Sequence, residues 1–244
     1  MKQQFTAKHP WTILAAGAAI QVLTGIPAAW GVFQQPVMDE YGLSEQGAGY
    51  AFGILIAAFG VGCVLGGFLQ DSRGPRCAAL WGTALLCGGF FAAAILPGGS
   101  AISFFLAFSI PAGLGTAFLY PSIQSCAQKW YAGRKGLATG VIGGAVGLSG
   151  AFLTVFVRTA VSGFGIVQGI RGAFWALGAI TLPVCLAGSL LLQDPPESRQ
   201  NQQGSGKNEI DLSPWQMLKT KQYWLCAGAV CFPPRRCFCS APSS

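Results

Sequence analysis

The stretch Gly67-Phe68-Leu69-Gln70-Asp71-Ser72-Arg73-Gly74-Pro75-Arg76 concentrates one acid and two arginines between two long uncharged runs, Gln46 to Gln70 and Cys77 to Gln128. A bilayer core takes about 20 consecutive apolar residues per helix. A short charged turn flanked by such runs therefore predicts two membrane-spanning helices, joined where Gly74 permits a tight reversal. The rest of the chain repeats this pattern. Only 9% of the 244 residues are charged, 52% are hydrophobic and the mean hydropathy is +0.50. A soluble domain carries about a quarter charged residues, so a water-soluble enzyme, a nucleic-acid binder and a disordered linker are all excluded.

Further uncharged runs extend from His9 to Met38, Gly136 to Val157 and Gly172 to Gln193. The Cys77 to Gln128 run is too long for one crossing, and Pro97-Gly98-Gly99-Ser100 divides it in two. Six helices are expected, at about 11–33, 48–69, 77–96, 101–124, 136–160 and 172–192, giving an all-α polytopic membrane protein. Lys2, Lys8, Arg73, Arg76, Lys129, Arg134, Lys135, Arg199, Lys207, Lys219 and Lys221 fall on one side of this arrangement. The other side holds Arg158 and Arg171, which snorkelling would explain, and a first external loop with Asp39, Glu40 and Glu45. The positive-inside rule then places the N-terminus and the segment after 193 in the cytoplasm, with the protein in the plasma (inner) membrane. The net charge of +7 is thus a topology signal, and no nucleic-acid partner is implied. The first apolar segment reads as span one and not as a cleavable signal. Residues 1–193 form the bundle, 194–221 a cytoplasmic loop, and 222–244 the start of a seventh span.

That last segment breaks its own pattern. Lys221-Gln222-Tyr223-Trp224-Leu225 opens a span, but Pro233-Pro234-Arg235-Arg236 cannot continue one, so the tail from about 226 is expected to be frameshifted or miscalled. Of nine cysteines, Cys63, Cys77, Cys87, Cys126 and Cys185 lie singly in or beside spans, as small hydrophobes. Cys226, Cys231, Cys237 and Cys239 match metal-site spacing poorly. No metal or cofactor is called for. Laid on each other, spans two and five superpose Gly49, Gly53 and Gly60 on Gly136, Gly140 and Gly147, the trace a three-plus-three inverted repeat leaves. Gly136, Gly140, Gly143, Gly147 and Gly150 form a helical stripe that would let a neighbouring backbone approach.

The opening stretch resembles the major facilitator signature G-x-L-x-D-R-x-G-R-R, with Ser72 and Pro75 in place of arginines and Arg73 one position late. Its carboxylate and arginines could latch one helix group to another, which makes Gly67, Asp71, Arg73, Gly74 and Arg76 a candidate gating loop. Several further segments add to this. They are Ala29-Trp30-Gly31-Val32-Phe33, Gly113-Leu114-Gly115 with Tyr120-Pro121, Lys129-Trp130-Tyr131, Arg134-Lys135-Gly136-Leu137-Ala138-Thr139-Gly140 and Pro214-Trp215-Gln216-Met217-Leu218-Lys219-Thr220. In combination they resemble the oxalate/formate antiporter family, which is similar to the monocarboxylate transporters. The resemblance implies a twelve-helix rocker-switch carrier of small organic anions, of which this chain would be the N-terminal half, its partners being the anion, the lipid bilayer and the missing C-terminal half.

Within span four, Thr116, Tyr120 and Gln124 recur every fourth residue and make one polar stripe, beside Pro121, whose missing donor can kink the helix. Trp30 and Gln34 lie one turn apart in span one and could add an aromatic wall and an amide donor; an interfacial aromatic belt is the other role open to Trp30. No Lys or Arg falls mid-span. The resemblance puts the substrate's cationic partners in the absent half. A carrier of another anion, a transport-inactive membrane remnant or scaffold, and an oligomeric channel remain as alternatives. Nothing supports an enzyme, since no nucleophile, metal cluster or phosphate loop is present.

Overall fold

A computed structural model describes residues 10–96, 100–163 and 169–192, together with Thr220 and Trp224. The chain divides into two compact units, Met1–Ser198 and Arg199–Ser244; in the second, Thr220 and Trp224 are the described residues. The loop expected at 194–221 and the aberrant tail at 222–244 otherwise lie outside the described residues, as does most of the turn at 97–100.

The described residues of the first unit fold into helices: α1 (Pro10–Thr24), α2 (Ile26–Tyr41), α3 (Glu45–Arg73), α4 (Pro75–Ile95), a short α5 (Ala101–Phe104) continued by a π turn (Phe105–Ser109) into α6 (Ile110–Trp130), α7 (Lys135–Gly163) and α8 (Gly169–Leu191). These make six membrane-competent spans, as the charge pattern predicts. Span one comprises α1 and α2, and span four runs from α5 through α6.

The helix ends differ from the sequence expectation in an instructive way. Span one does not stop near residue 33 but continues to Tyr41, so Asp39 and Glu40 lie in the last turn of α2 and not in a loop. The reversal is only Gly42 to Ser44. Gly42 takes the left-handed conformation (φ 64°), and Ser44 accepts from the Gly47 N–H at 3.1 Å to cap α3. Snorkelling is not what holds Arg171, whose Nε lies 2.7 Å from Glu40 Oε1 and pins the start of α8 to the end of α2. Tyr41 beneath this pair is buried and donates to the Ala93 carbonyl at 2.6 Å. At the other end of the bundle the charged loop shrinks to Gly74 alone (φ 87°), with Asp71 to Arg73 inside the final turn of α3. An acid at a helix end needs a partner or water, not a loop, which is why charge clusters overestimate loop length.

Packing follows the expected repeat. Span one packs chiefly on span five, span four packs alike on spans two and three, and spans three and six pack on each other. Without a hydrophobic drive between helices in lipid, small residues let backbones meet. A Cβ on Gly113 would lie 2.4 Å from the Leu55 carbonyl oxygen, one on Gly115 2.5 Å from the Leu86 nitrogen, and one on Gly62 2.6 Å from Ala117 Cβ. These glycines weld α3, α4 and α6. The stripe that the sequence singled out behaves otherwise: no described atom comes within 4 Å of a Cβ on Gly136, Gly140, Gly143 or Gly147, and Gly150 makes only ordinary contact with the Ala28 carbonyl. Gly49, Gly53 and Gly60 of α3 are equally open. Periodicity marks a face but cannot say what lies against it, and here the close approaches belong to other glycines.

Polar ties complete the frame. Thr83 and Ser189 hydroxyls meet at 3.3 Å between α4 and α8, and Gln70 Nε2 donates to Ser125 Oγ at 3.0 Å between α3 and α6. An aromatic cluster of Phe33, Phe90, Phe104, Phe108 and Phe174 fills the centre of the end that holds Tyr41. Pro121 lies within α6, which the helix passes through unbroken. The irregularity comes earlier: Pro111 has no N–H for the Ala107 carbonyl, and the preceding turn widens to π geometry.

Two contrasts test this packing. Gly113→Ala pushes a methyl into the backbone of α3 and is expected to cost about 1–3 kcal/mol, the range for overpacking. Gly53→Ala, facing open space, is expected to leave the melting temperature in detergent unchanged or raise it. Equal melting temperatures for the two variants would contradict the packing.

Candidate functional site

The most distinctive local feature is the break in span one. The sequence Gln21-Val22-Leu23-Thr24-Gly25-Ile26-Pro27 ends α1 at Thr24 and restarts the helix at Ile26. Pro27 cannot donate to the Leu23 carbonyl, and proline disfavours helical geometry in the residue before it. Gly25 absorbs the change at φ −73°, ψ 38°. The Gly25 carbonyl accepts from the Ala28 N–H at 3.1 Å and lies 3.3 Å from Ser149 Oγ, which also donates to the Val146 carbonyl at 2.6 Å, so α7 is seated against the break. The approach is so tight that a Cβ on Gly25 would lie 1.7 Å from Ser149 Oγ.

A cavity of about 350 Å³ opens beside this break. Its polar wall is Gln21 and Thr24 from α1 with Thr116 and Tyr120 from α6. Ile56 and Phe59 of α3 and Val146 of α7 supply the apolar wall, and Gly25, Pro27 and Ala28 complete it. No Asp, Glu, Lys, Arg or His is among the residues that line it. Thr116 is buried and spends its proton on the Ala112 carbonyl at 2.8 Å, so it faces a ligand as an acceptor. The Tyr120 ring lies 6.4 Å from that of Phe59, and its phenol is a donor. Gln21 is 1% exposed; its Oε1 accepts from Thr24 Oγ1 at 3.2 Å, and its Nε2 has no partner.

The sequence-derived candidates therefore divide. Thr116 and Tyr120 share the cavity wall, while Gln124, one turn further along α6, is half-buried off that wall with its Oε1 unpartnered. Trp30 is buried, stacked on Phe52 at 6.0 Å and on Phe108 at 6.2 Å, and is not among the residues that line the cavity. Gln34 is half-buried and does not line the cavity. Gln21 and Thr24 escaped the sequence reading because two isolated polar residues in an apolar run look incidental. Their i, i+3 spacing immediately before Gly-x-Pro was the available signal.

In the candidate gating loop, Gly67 is half-buried and Gly74 makes the turn, while Asp71 and Arg73 are exposed at the end of α3. Arg76 instead reaches across to the Leu190 carbonyl and caps the last turn of α8. Among the described residues the potential metal ligands form no cluster.

Comparison with known proteins agrees with the bundle. Residues 13–234 match the family model of the Major Facilitator Superfamily. The chain is 24% identical over 208 residues to the oxalate:formate antiporter of Oxalobacter formigenes, covering 84% of this chain and 47% of that protein. It is 26% identical over 221 residues to monocarboxylate transporter 2 of Homo sapiens, covering 88% of this chain and 45% of the relative. An uncharacterized 38 kDa protein in a 23S RNA operon of Thermoproteus tenax is 30% identical over 183 residues, covering 75% of this chain and 46% of the relative. The chain thus spans about half the length of the curated relatives it matches. Among solved structures, a mutant of the peptide transporter POT in complex with alafosfalin superposes with a TM-score of 0.58 at 22% identity, covering 95% of this chain and 47% of that one. Six apolar spans in a three-plus-three arrangement and a family match along most of their length lead to one conclusion: the chain belongs to the major facilitator superfamily of membrane transporters, with the fold of its N-terminal six-helix half.

Proposed function

We propose that this chain is the N-terminal half of a secondary active carrier of small organic anions, of the oxalate/formate or monocarboxylate type. The observation that carries the reading is the cavity at the span-one break, with hydrogen-bonding groups on one wall and an apolar surface on the other. Ligand sites of this kind combine an apolar lining with a few placed polar groups. In this reading Tyr120 donates to the anion, Thr116 lines the same wall as an acceptor, Gln124 and Gln34 extend the polar path along spans four and one, and Trp30 holds the wall in place. The anion's charge is balanced from a second six-helix half, because this cavity wall has none.

The open faces of α3 and α7, with their uncovered glycines, are where that second half packs. Exposed Asp71 and Arg73 at the end of α3 then engage it as the bundle rocks, with Gly67 and Gly74 allowing close passage and Arg76 keeping α8 fixed. The protein lies in the plasma (inner) membrane with its N-terminus in the cytoplasm, on the side where lysines and arginines gather. A transport-inactive remnant with the same bundle is the competing reading, and ligand binding separates the two.

Binding is the appropriate test, because one half presents a single side of a vestibule. Purified chain in lipid nanodiscs is titrated with oxalate, formate and lactate, following tryptophan fluorescence. A saturable response is expected, weakened about 3- to 10-fold by Tyr120→Phe, the loss of one hydrogen bond, and changed less by Thr116→Val, because the Thr116 proton is held by the Ala112 carbonyl. No response to any carboxylate would favour the remnant. For orientation, an epitope at the N-terminus of the chain expressed in cells is expected to be reached by antibody only after permeabilisation. Labelling of intact cells would reverse the topology.

A further inference from the structure

We propose that Gln21 reads the substrate, its amide nitrogen donating to a carboxylate oxygen of a monocarboxylate whose carbon tail rests on the apolar wall of the cavity. The inference rests on the reading of this cavity as the substrate vestibule and adds to it a residue and a class of anion. Gln21 is 1% exposed, lines the cavity, and has an amide nitrogen without an acceptor. A buried N–H left without a partner in the fold is costly, and one that lines a cavity is placed to meet an acceptor on a ligand. Buried polar groups that lack partners within the fold call for an explanation.

The neighbouring hydroxyl supplies one. Thr24 Oγ1 donates to Gln21 Oε1 at 3.2 Å, which occupies the acceptor end of the amide and leaves its donor end free. This i, i+3 pair forms the last turn before the helix break, so Gly25 and Pro27 stand beside it on the same cavity wall. On the same polar wall, Thr116 offers lone pairs only, having given its proton to Ala112, and Tyr120 offers a phenolic proton. The donors on the wall are thus one amide and one phenol, both neutral.

That set discriminates. Hydrogen bonds to a carboxylate are charge-assisted even when the donor is neutral, so one carboxylate can be held by Gln21 and Tyr120. Within this half, a second carboxylate on the same small molecule would meet Ile56, Phe59 and Val146, which offer an ionised group no hydrogen bond. A short hydrocarbon or hydroxyalkyl tail suits that wall. The arrangement therefore selects a small monocarboxylate over a dicarboxylate such as oxalate.

The test uses the whole chain in nanodiscs, titrated with propionate, oxalate and propionamide. Propionate is expected to bind at least tenfold more tightly than either of the others. Gln21→Leu is expected to weaken propionate about tenfold, Gln21→Glu to abolish it by repulsion, and Thr24→Val, which leaves Gln21 in place but unanchored, to weaken it less than Gln21→Leu. Should Gln21→Leu not fold, side-chain amide NMR of the wild-type chain decides: a Gln21 resonance that shifts on adding propionate supports the proposal, and one that stays still overturns it. Equal propionate affinity in wild type and Gln21→Leu, or oxalate binding as tight as propionate, overturns the proposal while leaving the carrier reading intact. Failure of the wild type to bind any carboxylate overturns both.

Discussion

A bilayer core offers no water to an unpaired backbone group, and every departure from regular helix inside it must be repaired by protein. In this chain the departure is the interruption of span one at Gly25, whose carbonyl turns back to the Ala28 N–H while the Ser149 hydroxyl of span five packs against it. That single arrangement positions much of the rest. It demands glycine at 25, because any side chain would occupy the place of Ser149. It brings spans one and five into close contact, and it leaves a recess beside the break that regular helices would have closed. Gln21 and Thr24 sit on the wall of that recess because they form the last turn before it.

The same economy governs charge. Only 9% of the chain is charged, and among the described residues the charged side chains that tie one helix to another lie near helix ends. Glu40 and Arg171 tie the two helices that meet at one end of the bundle, and Arg76 closes the last turn of α8 at the other. The interior polar groups are neutral, and several cross-link helices: Thr83 with Ser189, and Gln70 with Ser125. Against that background an amide nitrogen without a partner stands out, and so does a cavity whose wall is neutral although the relatives it resembles carry anions by name.

The six spans were legible because charge is the one property that a bilayer punishes at every position, and its gaps in the sequence mark the crossings directly. The limits of that signal were equally physical. Asp39 and Glu40 suggested a loop, but acids in a final helical turn are tolerable when an arginine from another span reaches them. Glycine periodicity matched spans two and five yet misjudged which glycines carry contacts, because Gly62, Gly113 and Gly115 are welded to neighbours while Gly140 and Gly147 face open space. Within the site, the regular spacing of Thr116 and Tyr120 announced a polar stripe. Gln21 did not announce itself, since its importance depends on a helix break whose cause, Gly-x-Pro, lies downstream.

The central claim is that the recess at the span-one break is an aqueous, anion-holding site. Cysteine substitution at Ala28 and Thr116, which line it, and at Leu119, which is fully buried, measures this directly through the rate of reaction with a small water-soluble thiol reagent in nanodiscs. Ala28→Cys and Thr116→Cys are expected to react well above the parent's own cysteine background and to slow when propionate is added, while Leu119→Cys stays unreactive. Reaction at all three positions at one rate, or rates at Ala28→Cys and Thr116→Cys indifferent to propionate, would contradict the account.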